Sequence, residues 1–158
     1  MENHHLLLSI LFGIFCSFVF IHSYALAPSS NTPEGYWKIV DGTTGNPKSI
    51  IKIWKTSNQE LMGKVIKVFA KKGNMQRCTA CKGPLYNQPI LGMTLLSGLK
   101  PKQQQWGSGR LLNPDNGKTY SCALRTVEHG NKLQVRNYIG LPYFGRAETW
   151  ERIDLLSG

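Results

Sequence analysis

Residues 132–140 read KLQVRNYIG, and their alternation decides the fold class. Leu133, Val135 and Ile139 fall on one side of an extended chain and Lys132, Gln134 and Arg136 on the other. That period of two belongs to a strand with one dry face and one wet face. Working outward, EHGN before it and LPYF after it are connections, and the same logic predicts strands over 35–40, 49–55, 61–70, 90–96, 105–112, 118–127 and 146–154. They are joined by DGTTGNP, TSNQ, a long middle loop, SGLKPK and NPDNG, all rich in turn-forming residues. No helix-length amphipathic run occurs after the polar PSSNTP at 28–33, so the body reads as all-β. Short strands joined in sequence favour an antiparallel meander, and closing eight of them into a barrel removes the edges that would otherwise recruit other chains. At that strand number the interior is either filled by side chains or holds one small ligand. The stretch 61–70 carries apolar residues on both faces (Leu61, Val65, Phe69 against Met62, Ile66, Val68), as expected of a core strand lying under a loop.

A chain of 158 residues sets a prior of one domain, and its first segment reads as an address. Residues 6–21, LLLSILFGIFCSFVFI, carry no charge. They are long enough for the core of a signal peptide but short of the roughly 20 residues a spanning helix needs. Small residues in cleavage spacing follow, with a cut expected after Ala25. A cut after Ala27 is the alternative and would place Pro28 next to the scissile bond. The leading MENHH has no Lys or Arg, which keeps an uncleaved anchor as the competing reading. The expected organisation is therefore a signal peptide over 1–25, a polar lead-in over 26–34 and a barrel over 35–158. The mature chain has no transmembrane segment and is expected to be periplasmic or secreted.

All 19 Lys and Arg lie at or after Lys38, so all of the basic charge behind the chain's formal +10 belongs to the body. In an exported protein this excludes nucleic acid as the expected partner and leaves anionic envelope components, such as lipid head groups or acidic glycans. The basic residues are spread along the chain, with only Lys71 and Lys72 adjacent, so most of the charge reads as solvated surface.

Three cysteines remain in the mature chain, Cys78, Cys81 and Cys122, so at most one internal disulfide forms and one thiol is left over. A Cys78–Cys81 bridge and a loop-to-strand bridge to Cys122 are both open. A redox role for the CTAC pair lacks the helix N-terminus that lowers a thiol pKa. Three thiols with His129 as the one mature imidazole do not make a closed zinc site, so no metal is expected. Gly117-Lys118-Thr119 imitates the end of a phosphate loop, but Leu112 stands where its first glycine belongs. Gly107-Ser108-Gly109 lacks the spacing of a nucleophile elbow. No cofactor and no catalytic constellation emerge, so a non-enzymatic protein is expected. Many of the aromatic residues are core. The LPYFGR segment at 141–146 stands out as a ligand or partner rim, with Tyr143, Phe144 and Arg146 joined by Arg136 and Trp106.

Taken together, GYW at 35–37, CTACKG at 78–83, NPDNGKTY at 113–120, RNYIG at 136–140 followed by GR at 145–146, and TWERI at 149–153 resemble the DUF2147 family of exported bacterial proteins. The resemblance spans about 35–153 and implies a small lipocalin-like β-barrel, with no particular ligand. It also implies a barrel closure in which Gly35 and Trp37 on the first strand meet Arg152 on the last, the guanidinium lying over the indole. The functional expectation is an exported binding module for a small, amphipathic, acidic ligand. The alternatives are an envelope or interaction protein with a solid barrel, acting through its basic surface and the 141–146 loop, and a thiol-redox protein using Cys78 and Cys81.

Overall fold

The computed structural model describes residues 31–69, 76–141 and 145–155. The expected signal peptide, the first part of the lead-in, Ala70, and Tyr143 with Phe144 lie outside the described residues.

Eight strands form a closed antiparallel barrel: β1 (Gly35–Val40), β2 (Pro47–Lys55), β3 (Leu61–Val68), β4 (Thr94–Lys102), β5 (Gln105–Asn113), β6 (Lys118–Val127), β7 (Lys132–Tyr138) and β8 (Arg146–Ile153). Each pairs with its neighbour in sequence, and β8 returns to β1 in a register that sets Arg152 directly opposite Trp37. The meander gives the barrel two unlike ends. Short connections at 56–60, 103–104 and 128–131 close one end, whereas 41–46, 114–117 and the described parts of the β3–β4 and β7–β8 connections (69, 76–93, 139–141 and 145) surround the other, the mouth.

Alternation along the strands delivers the core. Trp37, Ile51, Ile53, Leu61, Val65, Leu96, Leu99, Leu124, Leu133, Val135 and Trp150 are each at most 2% exposed and pack into one cluster inside the barrel. Burying a large apolar side chain fully is worth roughly 1.5–3 kcal/mol, so this cylinder of side chains is the main source of stability. Shape matters as much as area. A side chain at Gly109 would overlap Leu99, which therefore occupies the space that the missing Cβ leaves.

Three expectations change. The fourth strand runs from Thr94 to Lys102 rather than over 90–96, and the SGLKPK segment expected as a turn is strand. Gly98 takes φ of 66°, which bends the backbone while the β4–β5 register continues from Leu96↔Leu111 to Lys102↔Gln105. Turn-type residues there answer a local bend, while ladder bonds to β5 hold the chain extended. Ile139 does not share the dry face with Leu133 and Val135, because β7 ends at Tyr138 and Ile139 is 72% exposed. The third strand ends at Val68, and the segment before β4 pairs along its edge. Val65 N donates to Met93 O (3.0 Å) and Gly92 N to Val65 O (2.9 Å), so the return segment runs along this strand.

Candidate functional site

The closed end is built from the lead-in and the last strand. Trp37 is fully buried, and its Nε1 donates to Pro33 O (2.7 Å). The Arg152 guanidinium lies 4.2 Å from the centroid of the Trp37 ring. It also donates to three main-chain carbonyls: Nη1 to Glu34 O (2.9 Å), Nη2 to Thr32 O (2.6 Å) and Nε to Gly130 O. A planar fork reaches all three at once, which a lysine ammonium cannot do. Partial burial works against the Arg152 charge, while nearby Asp154 supports it. Gly35 takes φ of 128°, and a Cβ there would stand 2.7 Å from Arg152 Nη1, so glycine before the Tyr-Trp pair is what admits the guanidinium. Thr126 Oγ1 donates to Asn31 O (3.0 Å), so residues 31–34 are a bonded cap across this end.

Above the filled middle of the barrel, the mouth opens into a cavity of about 730 Å³ lined from β1, β2, β4, β5, β7 and β8. Ile39, Leu95, Leu111 and Trp150 supply its apolar walls, and Lys48, Asp41, Asp115, Arg146 and Glu148 its charges. The charges are differently occupied. Lys48 is paired with Asp115. Asp41 accepts from the main-chain N–H of Thr44 and Thr43 and from the Thr44 hydroxyl, and these bonds, with Lys48 nearby, hold its carboxyl below its ordinary value. Trp150 Nε1 donates to Glu148 Oε2 (3.5 Å). Arg146 has no ion pair among the described residues.

The 76–93 connection walls one side of this mouth. Cys78 and Cys81 are disulfide-bonded and buried, with Cys78 Sγ 3.4 Å from Pro114 O, and Gln76 and Ile90 from the same connection line the cavity. The loop-to-strand bridge to Cys122 is not made. Cys122 is a free, fully buried thiol on β6, paired in register with Gly109 and Asn137. Burial alone pushes its pKa up to about 12. The folded state therefore holds this proton more tightly than the unfolded chain does. Stability from this group is intact below the ordinary thiol range and falls as pH climbs from there toward about 12. Alkylation of Cys122 by iodoacetamide at mildly alkaline pH, followed by peptide mass mapping, should be negligible in the folded protein and complete in denaturant. Rapid labelling of the native protein would contradict this burial.

Of the residues expected to form one rim, the three that are described, Arg146, Trp106 and Arg136, do not come together. Arg146 lines the mouth, but Trp106 lies at the closed end, packed against the core with Lys55 Nζ 5.7 Å from its ring centroid. Arg136 is exposed on β7 between two inward positions and does not line the mouth. Period-two patterning gives the face of a residue but not its height along the barrel, which separates Trp106 from Arg146. Sequence reasoning did not place Lys48, Asp115 and Glu148 at the mouth, because they are far apart in sequence and come together only across β2, β8 and the β5–β6 turn. His129 sits at the closed end, a barrel length from the mouth. Among the described residues no cluster of His, Cys, Asp and Glu is arranged to hold a metal ion.

Residues 35–152 match the family model DUF2147, described as an uncharacterized protein conserved in bacteria. Among solved structures the chain is similar to protein HP1028 from the human pathogen Helicobacter pylori, described as belonging to the lipocalin family. The TM-score is 0.66 at 19% identity, covering 78% of this chain and 84% of that chain. At that identity the likeness concerns the fold, an eight-strand lipocalin-like barrel. No match was found among curated proteins. The family match begins at Gly35 and ends at Arg152, the two residues that meet at the closed end, and the chain belongs to the DUF2147 family.

Proposed function

We propose that this protein is an exported, non-enzymatic binding module whose mouth takes one small amphipathic molecule with a single acidic head group. The observation that carries the reading is the cavity of about 730 Å³ above a packed barrel floor, a volume within the usual range for small-molecule sites. An apolar portion fits against Ile39, Leu95, Leu111 and Trp150. The head group meets Arg146, the cavity cation that has no carboxylate partner among the described residues. Three carboxylates line the same mouth as two cations, which disfavours a polyanion and argues for one negative charge. A wholly solid barrel does not account for the open mouth. Both sulfurs of the Cys78–Cys81 pair are buried and Cys122 is held protonated, so neither offers a reactive thiolate to a redox partner. The apolar leader over 6–21 supports export, with removal after Ala25 or Ala27.

Native mass spectrometry of gently purified protein should show a bound small molecule, and a fluorescent fatty acid should bind the emptied protein stoichiometrically. Arg146→Glu should weaken that probe about ten- to a hundredfold, the value of one charge-assisted contact, while leaving the corresponding neutral alcohol unaffected. No bound species together with no probe binding would overturn the proposal.

A further inference from the structure

The two ends of the barrel differ in more than openness. Seven large apolar side chains are exposed among the described residues, and six of them, Phe69, Leu85, Tyr86, Leu91, Ile139 and Leu141, sit on mouth-end connections. Exposed apolar residues scattered singly are ordinary, but collection at one end of a barrel is not. They come from two connections, β3–β4 and β7–β8, which lie four strands apart in an eight-strand ring and so flank the mouth on opposite sides.

Cations without an ion pair accompany the apolar residues at the mouth end, although Lys52, Lys102, Arg110 and Arg125 elsewhere on the barrel also have no ion pair among the described residues. Four of the five ion pairs among the described residues are on the wall or near the closed end: Lys38–Glu151, Lys55–Glu34, Lys100–Glu60 and Lys132–Glu128. At the mouth end only Lys48–Asp115 is paired, whereas Lys67, Arg77, Lys82, Lys118 and Arg146 have no ion pair among the described residues. Lys67 Nζ stands 5.0 Å from the centroid of the Phe69 ring, an apolar group and a cation side by side.

We infer that the mouth end docks on the surface of an anionic phospholipid bilayer, with the barrel mouth facing the membrane. A head-group layer can take both flanking apolar groups at once and places phosphates around the unpaired cations. Lysines can then keep their ammonium groups among the head groups while their stems lie against apolar surface. A rigid acidic protein would have to span the open mouth to engage both sides. The docking is peripheral: no helix among the described residues is long and apolar enough to cross a membrane. It needs no ligand in the cavity, so it stands or falls separately from the proposed function.

Flotation with vesicles tests it. The protein should float with phosphatidylcholine vesicles containing phosphatidylglycerol, float poorly with phosphatidylcholine alone, and be released by high salt. Lys82→Glu and Lys118→Glu should each lower the partition coefficient at least about fivefold, the effect of one basic residue near an anionic surface. The double change Ile139→Ser and Leu141→Ser should lower it on its own, with the salt dependence retained. Lys102→Glu at the closed end, beyond the roughly 10 Å reach of unscreened charge, should leave it unchanged. All four variants alter exposed positions and should keep the unfolding midpoint, which is measured alongside. Absence of flotation with the anionic vesicles, or an equal loss from Lys102→Glu, would overturn the proposal.

Discussion

Trp37→Ala should cost about 3–5 kcal/mol of folding stability, the usual range for truncating a fully buried tryptophan. Three losses coincide at this position. The indole is 0% exposed within the barrel core, so its removal leaves a cavity lined by side chains already held on β-strands, which cannot collapse far. Its Nε1 bond to Pro33 O disappears, freeing part of the cap formed by residues 31–34. The ring face beneath the Arg152 guanidinium is also lost, so a partly buried cation loses its neighbour. Urea unfolding is the measurement, with the midpoint falling and the slope nearly unchanged. Trp37→Phe should recover most of the packing but not the bond to Pro33, a residual deficit of about 1 kcal/mol. A Trp37→Ala protein within about 1 kcal/mol of the parent would show that the barrel does not depend on this end.

Arg152→Ala should destabilise by about 2–4 kcal/mol, because one side chain serves three carbonyls from two separate segments, and hydrogen bonds from a charged donor are the stronger kind. Arg152→Lys separates charge from shape. The ammonium keeps the charge but cannot reach Thr32, Glu34 and Gly130 together or stack flat on the indole, so it should recover less than half of the loss. Three of its hydrogen bonds go to main-chain carbonyls, so most of the deficit should persist at high salt, with the support from Asp154 adding a smaller, screened part. A double-mutant cycle between Trp37→Phe and Arg152→Lys should return a coupling of about 0.5–2 kcal/mol, the range of a partly desolvated cation–π contact. Full rescue by lysine, or zero coupling, would reduce Arg152 to a surface charge.

The legibility of this fold varied along the chain for identifiable reasons. KLQVRNYIG announced a strand because its partners on both sides, β6 and β8, accept the same period of two, and the alternation of burial holds up to Arg136 while the pairing continues to Tyr138. Ile139 broke the pattern because the ladder had ended, which a period alone does not signal. The boundaries of β4 were misplaced because Gly98 and Pro101 are turn residues by composition, whereas neighbouring β5 offers ladder bonds along the whole segment. At the closed end, Gly35, Trp37 and Arg152 could be named because the family resemblance implies that closure. Their carbonyl partners could not, since main-chain acceptors carry no mark in sequence. Trp106 and Arg136 were grouped with Arg146 on residue type, and the barrel sets them at another height and on another face.

Alternating polarity and turn chemistry, which are local properties, were enough to determine eight strands and their order, while the pair that meets where β1 and β8 join came from the family resemblance. The open space was decided only by the folded barrel. Whether inward positions fill the lumen or leave it hollow depends on side chains from strands far apart in sequence, on register shifts such as that between Ile50 and Ile51, and on where Leu99 settles over Gly109. A volume enclosed by six strands is a sum over non-local contacts, and no segment of the chain carries it alone.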